Sequence, residues 1–234
     1  MSGSLRSIGI DGGELARALR HEVGARLRAI AGFTTILQED HGAQLGPDGV
    51  KVVDTIQTST RRAVSELMAV CDLLRLSERE LRFDTVDTGT LVRECFERAE
   101  REVPDANATL ELERLPAVLG DRELLARVWS ELFANSFKHR ARDRALRVTV
   151  GADERQASTT VRTTDNGTGF DPRFSSRVLD LFQTLQPYDD CRSEGAGLAI
   201  ARAIVTWHGG QIDISTTPGQ GTCVAVSLPR TRQA

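Results

Sequence analysis

The stretch that decides the fold is DNGTGF, at residues 165–170. It follows residues 158–163, STTVRT, where β-branched residues dominate and neither Gly nor Pro interrupts, so a strand is predicted there. An acidic residue closes the strand, and two glycines at alternate positions suit a turn that approaches a ligand closely. The Asp165 carboxylate accepts hydrogen bonds, which fits an exocyclic amine such as that of adenine. A plain hairpin turn is the alternative, because Asn-Gly is a strong hairpin signal.

Composition excludes several classes of protein. A chain of 234 residues with a net charge of −3 and interspersed charges gives no reason to expect nucleic-acid binding. The four cysteines are scattered without a C-x-x-C pair, which fits a reducing cytosol and argues against disulfides or zinc. No apolar run approaches the roughly 20 residues that span a bilayer. We therefore expect a cytoplasmic protein without a membrane span.

The N-terminal third has the pattern of two helices. After a loose segment at 1–13, residues 14–39 place Leu15, Leu19, Val23, Leu27, Ile30 and Leu37 within about 120° of arc. His21 lies opposite this stripe, so its side chain is expected to be exposed. A polar loop is predicted at 40–49. A second helix at 50–77 carries the stripe Val53, Ile56, Ala63, Leu67, Val70 and Leu74.

Two amphipathic helices joined by a loop predict an antiparallel hairpin. Because two helices enclose little core, we expect a second copy to complete a four-helix bundle. A monomeric hairpin folded back onto the rest of the chain is the alternative.

The remainder alternates helices and strands. The pattern predicts a linker with a short strand at 78–87, helices at 88–102, 121–139, 173–182 and 195–208, and strands at 108–113, 147–152, 158–164, 211–215 and 222–228. This mixture predicts an α+β protein whose C-terminal part is an α/β sandwich, with one layer of helices on one sheet.

Two further segments carry candidate chemistry. The helix at 121–139 places Glu131, Asn135 and Lys138 on one face, where an amide oxygen suits Mg²⁺ and an ammonium suits phosphate. A solvated helix face is the alternative. Gly195 and Gly197 open a later helix, whose free N–H groups and positive end would bind phosphates. Residues 183–194 before it have the length and polarity of a lid, or of a plain surface loop.

These motifs resemble the ATP-binding domain of histidine kinases, within the GHKL ATPase group, in order and in approximate spacing. Residues 131–138 (ELFANSFK) look like the N box of that family, residues 165–169 (DNGTG) its G1 box, and residues 193–198 (SEGAGL) its G2 box. The C-terminal glycines resemble its closing hairpin. Residues 21–27 (HEVGARL) resemble the H box of its dimerisation helix and continue as in phytochrome-type kinases. The resemblance covers about residues 14–230.

The resemblance implies a role for each matching residue. Asp165 would bind the adenine amine, while Gly167 and Gly169 would give the loop its freedom. Asn135 would hold Mg²⁺, with Glu131 contributing through a water.

The remaining roles concern the phosphates. Lys138 and the backbone of Gly195 and Gly197 would contact them, with Leu198 in the same box. His21 would take the γ-phosphoryl group, and Glu22 would accept the proton.

The resemblance thus implies a cytoplasmic sensor histidine kinase core that would use ATP and Mg²⁺. Residues 14–80 would form the dimerisation and phosphotransfer domain, and residues 81–230 the catalytic domain. A homodimer would pass the phosphoryl group to an aspartate of a response regulator receiver domain, and a separate sensor protein is one source of the signal. The alternative is a catalytically silent phosphotransfer or scaffold protein with the same fold. A GHKL serine kinase or ATPase is disfavoured by His21.

Overall fold

The structure is a computed structural model that describes residues 11–180 and 196–231. It divides into two compact units. The described residues up to Glu80, together with Ala196, form the first unit, and those from Leu81 to Asp180 and from Gly197 onward form the second. Among these residues, no helix is long and apolar enough to cross a membrane.

The first unit is built on α1 (Gly12–Ser77). Asp11 caps its start by accepting a hydrogen bond of 2.8 Å from the Glu14 amide. The helix is interrupted at Gly46, where φ is 62° and ψ is 174°. A positive φ is accessible to glycine without a Cβ penalty, and the following Pro47 fits the first turn of a helix. The predicted ten-residue loop at 40–49 is therefore wrong, because one glycine suffices to break the helix.

The two arms of α1, residues 12–45 and 47–77, run antiparallel. The Arg20 guanidinium lies 3.0 Å from the Asp72 carboxylate, so residues far apart in sequence meet near the open end. Nearer the reversal, Gln38 donates to Asp54 at 2.9 Å and accepts from the buried Gln57 at 2.9 Å. We call the Gln38, Asp54 and Gln57 contacts the glutamine bridge.

The second unit contains a five-stranded sheet and a two-stranded one. Its helices are α2 (Thr88–Glu102), α3 (Arg122–Lys138) and α4 (Gly197–Trp207). Its strands are β1 (Asp84–Val86), β2 (Thr109–Leu112), β3 (Val118–Gly120), β4 (Arg147–Glu154), β5 (Ser158–Asp165), β6 (Gln211–Thr217) and β7 (Gly221–Pro229). The main sheet has the order β2-β4-β5-β7-β6, in which only β2 and β4 run parallel. β1 pairs with β3 antiparallel.

Alternation along the strands places the core on one face of the sheet. In β7, Val224, Val226 and Leu228 are buried, while the residues between them are only half-buried. α3 packs between α2 and α4 and buries Trp129 and Phe133 completely. The expected α+β class, with helices layered on a sheet, is confirmed. Strand β3 was not predicted, and two 3₁₀ turns, Pro172–Phe174 and Arg177–Leu179, replace the start of the helix predicted at 173–182.

A buried histidine ties α4 to the start of α3. The Nδ1 atom of His208 lies 2.8 Å from the Ile204 carbonyl oxygen, an acceptor, so Nδ1 carries the proton. Nε2 then accepts a hydrogen bond of 3.0 Å from the Asp121 amide. Burial lowers the pKa of His208 below 6.5, although the bond to Ile204 and the charge of Asp121 act in the opposite direction.

We expect the second unit to lose stability as the pH falls through 6.5. The unfolded chain takes up the His208 proton first, because the folded pKa is the lower one, and this favours unfolding at acid pH. Both tryptophans, Trp129 and Trp207, lie in this unit, so urea unfolding followed by tryptophan fluorescence measures its free energy of unfolding. The slope of that energy against pH should flatten in His208→Gln and persist in His41→Gln, a control at an exposed position. Equal slopes in all three proteins would contradict the prediction.

Candidate functional site

The Asp165 carboxylate is held by three donors from three parts of the second unit. Its Oδ1 atom accepts from the Gly167 amide at 2.9 Å and from the Thr222 amide at 3.2 Å. Its Oδ2 atom accepts from the Ser136 hydroxyl of α3 at 3.2 Å. Burial raises the pKa of Asp165, and the bonds from Gly167, Ser136 and Thr222 lower it in part. An acidic acceptor is thus fixed at the end of β5, half-buried.

The glycines around Asp165 are required by close packing. A Cβ atom on Gly167 would lie 2.6 Å from the His139 carbonyl oxygen. Gly169 has φ 56°, and a Cβ there would overlap the Thr217 carbonyl oxygen. Gly221, with φ 109°, would likewise overlap the Asp165 carbonyl. Both glycines are therefore packed against backbone, and Gly169 has the positive φ that a glycine permits. Their role in giving the loop its freedom stays a prediction.

The turn after Asp165 is not a β-hairpin. β5 pairs with β4 and β7, and the next regular element is a 3₁₀ turn. The Thr168 amide and hydroxyl both bond to the His139 carbonyl oxygen, at 2.9 and 3.2 Å. The turn is therefore fastened to the C-terminal end of α3, which carries the second candidate motif.

The three candidate residues of α3 are all half-buried. The Glu131 carboxylate lies 2.7 Å from the Arg127 guanidinium and also packs against Gly197, where a Cβ atom would overlap it. The fold thus brings Glu131 to the first turn of α4, which also contains the half-buried Leu198. Gly195 and the lid predicted at 183–194 lie outside the described residues.

A cation at this site would depend on few protein ligands. Within residues 11–180 and 196–231, no group of three or more His, Cys, Asp or Glu side chains could hold a metal ion. Mg²⁺ commonly takes one or two protein oxygens and completes its shell with water and phosphate oxygens. The amide oxygen of Asn135, one helical turn from Glu131, fits such a minimal site.

The other two candidate residues lie in the first unit. The His21 side chain is 83% exposed, as its position opposite the apolar stripe predicted. Its Nδ1 atom lies 3.3 Å from a Glu22 carboxylate oxygen. A carboxylate in this position orients the ring and favours the tautomer with the proton on Nδ1.

Two site residues escaped the sequence analysis. Ser136 directly follows Asn135 and lies on the buried side of α3. A hydroxyl at a core position could have indicated a buried hydrogen-bond partner. Thr222 contributes only its backbone amide to Asp165, and a backbone contact leaves no trace in the residue type.

Comparison with known proteins identifies the second unit. Residues 120–232 match the family of histidine kinase-, DNA gyrase B- and HSP90-like ATPases, HATPase_c. Most of the second unit therefore matches a HATPase_c domain. The resemblance noted from the N, G1 and G2 boxes is confirmed, and Asp165, Asn135 and Gly197 all lie within the matched residues of the HATPase_c domain.

Similar proteins extend the match beyond the HATPase_c domain. The chain is 24% identical over 209 residues to the phytochrome-like protein Cph1 of Synechocystis, covering 89% of this chain and 28% of that one. It is 31% identical over 240 residues to the sensor histidine kinase MtrB of Mycobacterium tuberculosis, covering 94% and 40%. The chain therefore spans well under half the length of these two relatives.

Solved structures show the same fold. Full-length ShkA in complex with AMPPNP superposes with a TM-score of 0.63 at 21% identity, covering 94% of this chain and 46% of that one. The mycobacterial sensor histidine kinase MprB gives a TM-score of 0.54 at 24% identity, covering 65% of this chain and all of that one.

Proposed function

We propose that this protein is an ATP-dependent histidine autokinase of a two-component system, which phosphorylates His21 and passes the phosphoryl group to an aspartate of a response regulator. The observation that carries the proposal is the exposed His21 beside Glu22, on a helical hairpin joined to a HATPase_c domain. The relatives named sensor histidine kinases support it, as does the AMPPNP bound to ShkA. The cytoplasm is the proposed compartment.

The nucleotide would be held mainly by the second unit. The Asp165 carboxylate, fixed by three donors, would accept a hydrogen bond from the adenine amine. Asn135 would give Mg²⁺ an amide oxygen, and Glu131 would act through a water. Lys138 and the amides of Gly195 and Gly197 would meet the phosphates, as positive groups that neutralise charge during transfer.

The chemistry at His21 follows from its contact with Glu22. Because Nδ1 lies against a carboxylate, Nδ1 holds the proton and Nε2 keeps the lone pair. Nε2 would attack the γ-phosphorus, the bond from that phosphorus to the β–γ bridging oxygen would break, and ADP would leave. Glu22 would stabilise the positive charge that develops on the imidazole and then take the Nδ1 proton.

The direct test is incubation with γ-labelled ATP and Mg²⁺. We expect protein-bound label that is lost in acid and retained in alkali, which is the behaviour of a phosphohistidine. A catalytically silent phosphotransfer or scaffold protein would give no label. Label that resists acid would instead indicate a serine kinase and would contradict the proposal.

A homodimer is part of the proposal because the first unit leaves apolar side chains uncovered. Phe33 is 72% exposed, Val52 59% and Ile56 40%. Val23, Ile30 and Ile36 are exposed on the same hairpin. Exposed apolar groups on both arms favour pairing with a second hairpin across a two-fold axis, in a four-helix bundle.

We expect Ile56→Lys to convert a dimer into a monomer at micromolar concentration, because pairing would bury an unpartnered ammonium. Light scattering coupled to size exclusion measures the mass. Thr55→Lys, an exposed neighbour on the same arm, adds the same charge and should leave the dimer intact. A wild-type monomer would support the hairpin folded back on its own chain.

A further inference from the structure

The Arg144 side chain makes contacts that the sequence motifs do not account for. It follows α3 and precedes β4 in the chain, and its guanidinium donates to three backbone carbonyl oxygens. Its Nε atom lies 2.9 Å from the Asn166 oxygen. Its Nη2 atom lies 3.0 Å from the Gly167 oxygen and 2.7 Å from the Gly219 oxygen. A guanidinium presents several donors in a rigid planar fork and stays charged, so one side chain can bind several carbonyls at once.

These carbonyls belong to two segments that meet at Asp165. The first is Asn166–Gly167, which supplies the Gly167 amide to Oδ1. The second begins at Gly219 and leads, three residues later, to the Thr222 amide, which bonds to the same oxygen. The Gly219 amide also donates to the Thr168 carbonyl oxygen at 2.7 Å. Arg144 therefore joins the two segments that provide both backbone donors to Asp165 Oδ1.

The segment carrying Arg144 is itself fastened to the turn. The side-chain oxygen of Asn166 accepts from the Arg147 amide at 2.8 Å, and its side-chain nitrogen donates to the Ala145 carbonyl oxygen at 3.0 Å. The Asn166 amide donates to the Arg147 carbonyl oxygen at 3.2 Å. The backbone next to Arg144 is thus held in place, so the planar guanidinium can position the two segments whose carbonyls it binds.

We infer that Arg144 is a positioning residue of the nucleotide site, which holds the Gly167 and Thr222 amides on Asp165 and so fixes the carboxylate that receives the base. The inference rests on the proposed nucleotide binding for its functional consequence. It acts through the two amides, without requiring contact between Arg144 and the nucleotide. Because the side chain is exposed, the fold should survive its removal.

The test compares Arg144→Ala with Arg144→Lys and with the control Arg142→Ala, which removes an exposed arginine two residues earlier. For Arg144→Ala we expect ADP affinity, measured by calorimetry, to fall about five- to ten-fold, the effect of losing hydrogen bonds of ordinary net strength. Lysine keeps the charge without the fork, so Arg144→Lys should fall in between. Arg142→Ala should bind ADP as the wild type does.

A second readout needs no nucleotide. Hydrogen exchange in the free protein should become faster at the Gly167 and Thr222 amides in Arg144→Ala, and stay unchanged in the core of the second unit. Faster exchange throughout that unit, with a lower free energy of unfolding, would show that Arg144 stabilises the whole unit and would overturn the inference. Unchanged exchange with wild-type ADP affinity would overturn it too. If the wild type binds no ADP, the proposed function fails, while the exchange data still decide whether Arg144 holds the two amides.

Discussion

Replacing His21 with Gln is expected to abolish autophosphorylation while leaving ADP binding unchanged. Glutamine keeps a polar side chain at an 83% exposed position but offers no imidazole nitrogen to attack phosphorus. Asp165 and Asn135, which we propose to hold the nucleotide and its Mg²⁺, lie in the second unit, and His21 lies in the first. Label transfer from γ-labelled ATP and calorimetry with ADP measure the two properties separately.

The matched control is His41→Gln. His41 is an exposed histidine on the same arm of α1, with its Nδ1 atom 3.3 Å from the Gln44 side-chain oxygen. This variant should label as the wild type does, which excludes a general effect of losing an exposed histidine from the helix. Label persisting in His21→Gln would remove His21 from the proposed reaction.

Replacing Asp165 with Asn is expected to weaken nucleotide binding by about ten-fold or more, since a charge-assisted hydrogen bond is worth roughly 1.5–3 kcal/mol. The folded structure can accommodate the amide. Its oxygen can accept from Gly167 and Thr222, and its NH₂ group can donate to the Ser136 hydroxyl oxygen. The Ser136 proton can then turn to the Leu132 carbonyl oxygen, 3.2 Å away. The binding defect should therefore arise without a loss of fold.

The free energy of unfolding of Asp165→Asn distinguishes a direct loss of nucleotide binding from a loss of folded structure. The pKa of Asp165 is raised in the folded state, so the folded protein holds the proton more tightly than the unfolded chain does. The free energy of unfolding therefore falls as the pH rises from 3.8, the value for the unfolded chain, through the higher pKa of the folded protein. At neutral pH the uncharged amide of asparagine does not carry this loss of stability. We expect Asp165→Asn to unfold in urea at a concentration no lower than the wild type. Asp213→Asn, which changes an exposed carboxylate on the same sheet, should leave ADP affinity unaltered. If Asp165→Asn binds ADP as tightly as the wild type, the loop at residues 165–170 is a structural turn without a role in nucleotide binding.

Long periodic elements of the fold were predictable from the sequence. The α2 helix has the predicted bounds, and α3 is shorter than predicted by one residue at each end, because apolar spacing and a capping aspartate are strong local signals for both helices. Strand β5 is longer than predicted by one residue at its C-terminal end, and its run of β-branched residues marked it. Strand β3 was missed because Val118–Gly120 is too short to show alternation. The helix break was misplaced because a polar, glycine-containing run looks like a loop, whereas only Gly46 leaves the helical conformation.

The sequence could single out residues of the candidate site where the side-chain type carries the proposed chemistry. Asp165, Asn135 and His21 are such residues. Arg144 was not, because its acceptors are main-chain oxygens 22, 23 and 75 residues away, and any residue type supplies a carbonyl. The glycines were found, but their close packing against backbone was not, since a sequence does not show how much space surrounds a residue.

The glutamine bridge restricts how the two arms of the hairpin can move. A slide of one arm past the other by one helical turn, about 5.4 Å, would carry Gln57 away from the oxygen of Gln38 at 2.9 Å. A buried amide left without its partner costs about 1–3 kcal/mol, so axial translation is opposed while small changes of tilt or twist keep the contact. A mechanical input to this hairpin would therefore be transmitted as rotation or splaying of the arms, with their longitudinal alignment preserved.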